Sequence, residues 1–196
     1  ALLEKRHQVA LNAGFSNFRD YRFQELGRFD YTKEDCYQFH EAVKLHVMPL
    51  VNQLYAAKKQ KLGLSELRPW DIEAEPAGTK PLRPFQTGAE LTEKTIRCFN
   101  TMQPFFGDCL AKMREMGRLD LESRKGKAPG GYNCPLAETG APFIFMNAAG
   151  TLDDVTTMVH EGGHAIHSFL SHELELNGFK EYPTEIAEVA SMSMEL

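Results

Sequence analysis

The sequence predicts a mainly α-helical fold that contains one small β element. Apolar residues recur at helical spacing in several long segments, and some of these segments begin with a side chain that can cap a helix. One short apolar run between glycine-rich stretches predicts the β element. We expect residues 1–123 to form the helical part of a domain, and residues 124–196 to add the strand and the last helices of that domain.

The composition is that of a folded protein. Hydrophobic residues make up 42% of the 196 residues, charged residues make up 25%, and the net charge is −5. The sequence has no cluster of Lys and Arg, so we expect neither a nucleic-acid nor a lipid partner. It also has no apolar run long enough to span a membrane. The four cysteines are dispersed, which predicts reduced thiols in the cytoplasm rather than disulfides or a cysteine zinc site. The sequence leaves the oligomeric state open.

The first predicted helix covers residues 32–61. It begins with a capping box formed by Thr32 and Asp35, and its apolar residues follow helical spacing. Pro49 lies inside this pattern, and proline has no amide hydrogen to donate to the preceding turn. We therefore expect a kink near Pro49.

The middle of the chain predicts an extended connection followed by two helices. Four prolines between residues 63 and 88 remove backbone donors and favour extended backbone before them. Helices are predicted over residues 90–102 and 104–116. Pro104 suits the first turn of the second helix, and Gly117 suits its end.

The strand candidate is the apolar run at residues 143–147. A helix follows it and continues to about residue 172, because Thr151 and Asp154 form a second capping box before a long apolar pattern. This helix carries the residues with the clearest chemical potential.

A last helix is predicted after Pro183, with Thr184 as its cap. No Gly, Asn or Pro ends its pattern before Leu196, so we expect the helix to run to that residue and the chain to continue beyond it. The absence of an initial methionine before Ala1 supports the same expectation.

The helix after Thr151 contains the motif His-Glu-Gly-Gly-His at residues 160–164. A spacing of four places the imidazoles of His160 and His164 on one helix face, about one turn apart, as a shared tetrahedral zinc ion requires. Glu161 lies on the flank of that face, where it can accept a proton from a zinc-activated water. The alternative interpretation is a pair of surface histidines without a metal.

A catalytic zinc site with two histidines needs a third protein ligand and an open position. The pattern that adds a third histidine is excluded, because Leu170 occupies the position where that histidine would stand. The last helix offers Glu185, Glu188 and Glu195 on one polar face. This face could also be a solvated acidic surface.

From about residue 126 to residue 196, the sequence resembles the thimet oligopeptidase and oligoendopeptidase F family of zinc peptidases. The resemblance rests on the His-Glu-x-Gly-His motif and on the stretch Glu-Val-Ala-Ser-Met-Ser-Met-Glu at residues 188–195, which matches the family pattern Glu-Val-x-Ser-x-x-x-Glu. It selects Glu188 over Glu185 as the third ligand. It also implies a helical zincin catalytic region.

The resemblance implies an oligopeptidase that hydrolyses internal bonds of short peptides with one zinc ion per chain. It also implies that the predicted strand is an edge strand along which an extended peptide lies. The substrate-side candidates are then Phe143, Ile144, Phe145, Met146 and Asn147. Tyr132 is a separate candidate, because residues 130–133 are predicted to form a flexible loop that lies near the site in sequence. The family supplies a further His and several Tyr from beyond the metal helices, so we expect this chain to lack those groups.

Three further residues have predicted roles near the metal. His167 and Glu195 are candidates to contact the ligands from outside the coordination sphere, although polar packing or solvation would also explain them. Gly162 stands where the family usually has a bulky apolar residue, so we expect another segment to pack closely there. Two alternative functions remain open at this stage: an aminopeptidase with the same ligands, and a domain that zinc merely stabilises.

Overall fold

The fold is described from a computed structural model that covers residues 1–196. The prediction of a mainly α-helical fold is confirmed, since the chain contains eight α-helices and three short strands. The chain divides into two compact units, Ala1–Pro81 and Leu82–Leu196. The division predicted from the sequence, between residues 123 and 124, lies inside the second unit and stays a prediction.

The first unit contains four helices. Their bounds are Leu2–Asn12 for α1, Phe18–Glu25 for α2, Lys33–Ala42 for α3 and Met48–Leu62 for α4. A π-helical turn, Val43–Val47, joins α3 to α4, so the helix predicted over residues 32–61 is present but irregular. The irregular turn lies directly before Pro49, whose ring prevents an ordinary helical bond to the carbonyl four residues earlier.

The predicted connection and the next two helices are also present. A short 3-10 helix, Pro69–Asp71, is the one regular element in the connection. The helices are α5, Gly88–Met102, and α6, Pro104–Glu115. Thr87 caps α5 through a hydrogen bond to the Glu90 amide, and Gly117 follows α6 with a φ of +66°.

A three-stranded sheet lies beside these helices. Its strands are β1, Leu119–Glu122, β2, Tyr132–Cys134, and β3, Phe143–Ala148, in the order β1-β3-β2. The strand predicted at residues 143–147 is confirmed, but the expectation that it lies at an edge is wrong. The main chain of β3 pairs with β1 in parallel and with β2 antiparallel, so the free edges belong to β1 and β2.

The last two helices are α7, Leu152–His172, and α8, Thr184–Met192. The capping box of α7 is formed as predicted. The prediction that the last helix begins after Pro183 is confirmed, but its cap residue and its C-terminal end differ from the prediction. Pro183, rather than Thr184, is the N-cap residue, because its carbonyl accepts the first hydrogen bonds of the helix. α8 ends at Met192, and the amides of residues 194 and 195 donate to carbonyls three residues earlier instead of four.

The core of the second unit lies between the sheet and helices α5, α6 and α7. Its fully buried side chains include Phe99, Leu110, Ile144 and Met158. α7 therefore turns its apolar face inward, and the opposite face, which carries the two histidines of the motif, remains partly exposed. All four cysteines are free. No helix is both long enough and apolar enough to cross a membrane.

Candidate metal centre

Helices α7 and α8 bring together two imidazoles and one carboxylate. The rings of His160 and His164 have centroids 4.8 Å apart and planes at 89° to each other. The Oε2 atom of Glu188 lies 3.4 Å from Nε2 of His160 and 3.8 Å from Nε2 of His164. One candidate ligand atom from each residue lies within 4.8 Å of the others.

This donor set fits a zinc ion with an open position. Zinc bonds of about 2.0–2.1 Å in tetrahedral geometry place neighbouring ligand atoms roughly 3.3 Å apart, close to the two distances from Glu188. The side chains of His160, His164 and Glu188 are 27%, 18% and 42% exposed. A small molecule can therefore reach the ligand atoms from solvent.

Glu195 approaches the same site from the other side of His160. Its Oε1 atom lies 2.7 Å from Nδ1 of His160. In the tautomer of His160 that carries its proton on Nδ1, this nitrogen donates to the Glu195 carboxylate and Nε2 presents a lone pair toward Glu188. Glu185, the third acid of the predicted polar face, does not join the group of ligand atoms.

Glu161 lies next to the candidate ligands but is buried, with 6% of its surface exposed. Its Oε2 atom is buried without a hydrogen-bond partner. The pKa of the Glu161 carboxyl is raised, mainly because the carboxyl is buried. The electrostatic interaction with His160 opposes this rise, and repulsion from Glu188 adds to it. A buried carboxylate with an unpaired oxygen is suited to accepting a proton.

Burial affects the pKa of two histidines of α7. Burial lowers the pKa of His164, although Glu188 opposes that shift, and burial also lowers the pKa of His167. Neutral imidazole is the form that coordinates zinc. His167 does not join the ligand group; its ring stacks on Tyr182, with centroids 3.9 Å apart, and its Nδ1 atom is buried without a partner.

The two glycines of the motif face different neighbours. A Cβ atom on Gly162 would lie 2.8 Å from Cε2 of Phe99 in α5. A Cβ atom on Gly163 would lie 2.5 Å from the carbonyl oxygen of Ala190 and 2.7 Å from Cα of Ser191, both in α8. The close packing expected at Gly162 is therefore present, and a second close contact lies beside it.

The substrate-side candidates on β3 divide according to the alternation of a strand. Ile144 and Met146 point into the core and are buried. Asn147 donates hydrogen bonds to the carbonyls of Ala128 and Gly130, so its amide holds the loop before β2.

The remaining candidates lie on the other face of the sheet. Phe143 is partly exposed. Phe145 stacks against Tyr132 with ring centroids 4.9 Å apart.

β2 is the strand edge nearest to the candidate centre, and it was not predicted. The side-chain amide of Asn133 donates a 3.5 Å hydrogen bond to the main-chain carbonyl of Glu161. A Cβ atom on Gly131 would lie 3.5 Å from Oε1 of Glu161, so the backbone there passes directly beside that carboxyl. The glycine pair before Tyr132 was the only sequence signal, because a strand of three residues is too short to show alternation.

Comparison with known proteins identifies the family of the chain. The family model described as peptidase family M3 matches residues 1–196. The chain belongs to peptidase family M3. Within the family, it is 30% identical over 155 residues to an oligoendopeptidase F homolog of Lactococcus lactis subsp. lactis, an alignment that covers 79% of this chain and 25% of the relative. The resemblance inferred from the sequence is therefore confirmed.

Two further similar proteins extend the comparison. A plasmid-encoded oligoendopeptidase F of Lactococcus lactis subsp. cremoris is 28% identical over 186 residues, which is 94% of this chain and 30% of the relative. The structure of PZ peptidase A with an inhibitor superimposes with a TM-score of 0.92 at 30% identity, and covers 99% of this chain and 34% of that one. The chain thus spans a quarter to a third of the length of these relatives.

Proposed function

We propose that the protein is a zinc-dependent endopeptidase that hydrolyses internal bonds of short peptides. The observation that carries this proposal is the convergence of His160, His164 and the Glu188 carboxylate beside the buried carboxyl of Glu161. Membership of peptidase family M3 supports peptide hydrolysis, and the names of the oligoendopeptidase F relatives support internal cleavage of short substrates.

One zinc ion would be held by Nε2 of His160, Nε2 of His164 and a carboxylate oxygen of Glu188. When bound, zinc supplies a Lewis acid that polarises the scissile carbonyl and makes a water molecule acidic enough to be deprotonated at neutral pH. The lowered pKa of His164 favours this arrangement, because its imidazole is already neutral when the ion arrives.

Glu161 serves as the general base in this proposal. Its unpaired Oε2 atom accepts a proton from the attacking water, and the same carboxyl later delivers a proton to the leaving amine. The raised pKa supports the first transfer, because a carboxylate with a higher pKa holds the accepted proton more strongly, and it moves the pKa of Glu161 toward neutral pH, where one group can both accept and return a proton.

The substrate backbone lies along the free edge of β2 in this proposal. That edge pairs with no other strand, and its preceding residue, Gly131, passes beside the carboxyl of Glu161. An extended peptide can add to a free strand edge through main-chain hydrogen bonds, which hold substrates of differing sequence in one register. Tyr132 is 49% exposed and would contact substrate side chains at this edge.

A cytoplasmic location stays a prediction from the cysteines.

Replacement of Glu161 by Gln tests the role of the carboxyl. We expect the variant to retain zinc and to lose hydrolysis of a fluorogenic peptide by roughly a hundredfold to ten-thousandfold, the usual contribution of a general base. Glu173→Gln is the matched control, because Glu173 is exposed at the end of the same helix. Full activity of Glu161→Gln would remove Glu161 from the mechanism, and absence of zinc from the unmodified protein would refute the metal centre.

A further inference from the structure

Helices α7 and α8 pack closely together in the middle of the candidate ligand set. Gly163 stands between His160 and His164 in α7, and Ser191 stands one turn after Glu188 in α8. Both residues are buried, and Ser191 has no exposed surface. A single added methyl group at Gly163 would lie 2.7 Å from Cα of Ser191. The backbones of the two helices are therefore in direct contact at this point.

Ser191 also contacts the candidate ligand. Its hydroxyl lies 3.0 Å from Oε2 of Glu188 and 3.1 Å from the Glu188 main-chain carbonyl. Oε2 is the same carboxylate oxygen that faces the Nε2 atoms of His160 and His164. The hydroxyl of Ser191 thus lies within hydrogen-bond distance of the atom that would bind the metal.

We propose that Gly163 and Ser191 are positioning residues for the third metal ligand. Gly163 sets the separation of α7 and α8, and Ser191 orients the carboxylate of Glu188 toward the two imidazoles. The inference rests on the proposed metal centre. Neither residue is itself a ligand.

The size of the clash at Gly163 supports its role in setting the distance between α7 and α8. A Cβ atom 2.5 Å from the Ala190 carbonyl oxygen is about 1 Å closer than an ordinary van der Waals contact. The atoms that would be struck belong to the backbone of α8 and cannot rotate away. Metal–ligand distances tolerate deviations of only about 0.2 Å, so a shift of the helix by even part of that clash would remove Glu188 from the coordination sphere.

A second serine in α8 separates the ligand contact from an ordinary helix contact. Serines often donate to a main-chain carbonyl in the preceding turn, and the 3.1 Å contact to the Glu188 carbonyl is of this kind. The hydroxyl of Ser193 makes the same contact, at 3.0 Å from the Ala190 carbonyl, but does not touch the Glu188 carboxylate. Ser193→Ala is therefore the matched control for Ser191→Ala.

The first experiment measures zinc affinity by competition with a chromophoric chelator. We expect Ser191→Ala to bind zinc roughly tenfold to hundredfold more weakly, as for other residues that orient a ligand, and Ser193→Ala to bind as the unmodified protein does. With cobalt in place of zinc, Ser191→Ala should shift the visible absorption bands, which report ligand geometry. Equal affinities and equal spectra for both variants would overturn the role of Ser191.

The second experiment compares Gly163→Ala with Gly162→Ala. Both substitutions add a methyl group to a buried position of α7, but only the one at Gly163 strikes α8. We expect Gly163→Ala to weaken zinc binding and Gly162→Ala to leave it unchanged, whatever the effect of each substitution on the stability of the fold. Equal zinc affinity in the two folded variants would overturn the role of Gly163. Should Gly163→Ala not fold, the comparison of the two serine variants decides the inference.

The failure of this inference can be distinguished from the failure of the proposed function. Zinc binding by the unmodified protein, together with unchanged binding in Ser191→Ala, would leave the metal centre standing and remove the positioning role. No zinc binding by the unmodified protein would overturn both.

Discussion

The contact between Gly162 and Phe99 predicts an unusual response to a helix-stabilising mutation. Replacing a helical glycine by alanine ordinarily stabilises a helix by about 1 kcal/mol. At Gly162, the new Cβ atom would lie 2.8 Å from Cε2 and 3.0 Å from Cζ of Phe99, whose ring is 1% exposed and cannot move into solvent. Overpacking of this kind costs about 1 to 3 kcal/mol. We therefore expect Gly162→Ala to leave the free energy of unfolding unchanged or to lower it by up to about 2 kcal/mol.

A double-mutant cycle identifies the ring as the cause. Phe99→Leu removes Cε2 and Cζ, the two atoms that the new methyl group would strike, so Gly162→Ala should be less harmful in that background than alone. We expect a coupling free energy of roughly 0.5 to 3 kcal/mol between the two positions. Urea unfolding followed by circular dichroism, with a chelator present to exclude stabilisation by bound metal, gives all four free energies. The reasoning is refuted if Gly162→Ala alone stabilises the protein by about 1 kcal/mol, as an uncrowded helical position would.

Three other predictions concern the candidate metal centre. Glu188→Ala should weaken zinc binding far more than Glu185→Ala, as measured by chelator competition; the opposite ranking would move the ligand. Glu195→Gln should weaken zinc binding by roughly tenfold to hundredfold, because the amide no longer offers a negatively charged acceptor to Nδ1 of His160. Unchanged zinc binding in this variant would contradict the role of Glu195. Burial lowers the pKa of His167 below its ordinary value of 6.5, so the unfolded chain binds the proton more tightly and the metal-free protein should lose stability as pH falls through that value. Urea unfolding at a series of pH values should show a shallower loss in His167→Gln, and identical slopes would exclude this contribution.

Local signals in the sequence predicted the helices that position the centre. The capping box of Thr151 and Asp154 depends on residues three apart, and both hydrogen bonds of the box are present in α7. Pro104 and Gly117 marked the limits of α6 for similarly local reasons. Such signals need no information about which segments later pack together.

The strands show where local signals were insufficient. The apolar run at residues 143–147 predicted a strand, but its place in the sheet depends on partners that lie 9 to 26 residues earlier in the chain. β1 and β2 have only four and three residues and show no alternation that exceeds chance. The expectation of an edge strand therefore failed, and the free edge beside Glu161 became visible only in the folded chain.

The sequence by itself determined that His160, Glu161 and His164 share one helix and that the two imidazoles lie on one face, because a spacing of four residues has a single geometric outcome in an α-helix. The sequence limited the candidates for the acidic ligand to the last helix, but it did not show that any of their carboxylates lies near the imidazoles. Only the tertiary structure decided that Glu188 lies against both rings, because that contact depends on how closely α7 and α8 pack, at a point where no side chain separates Gly163 from the backbone of α8.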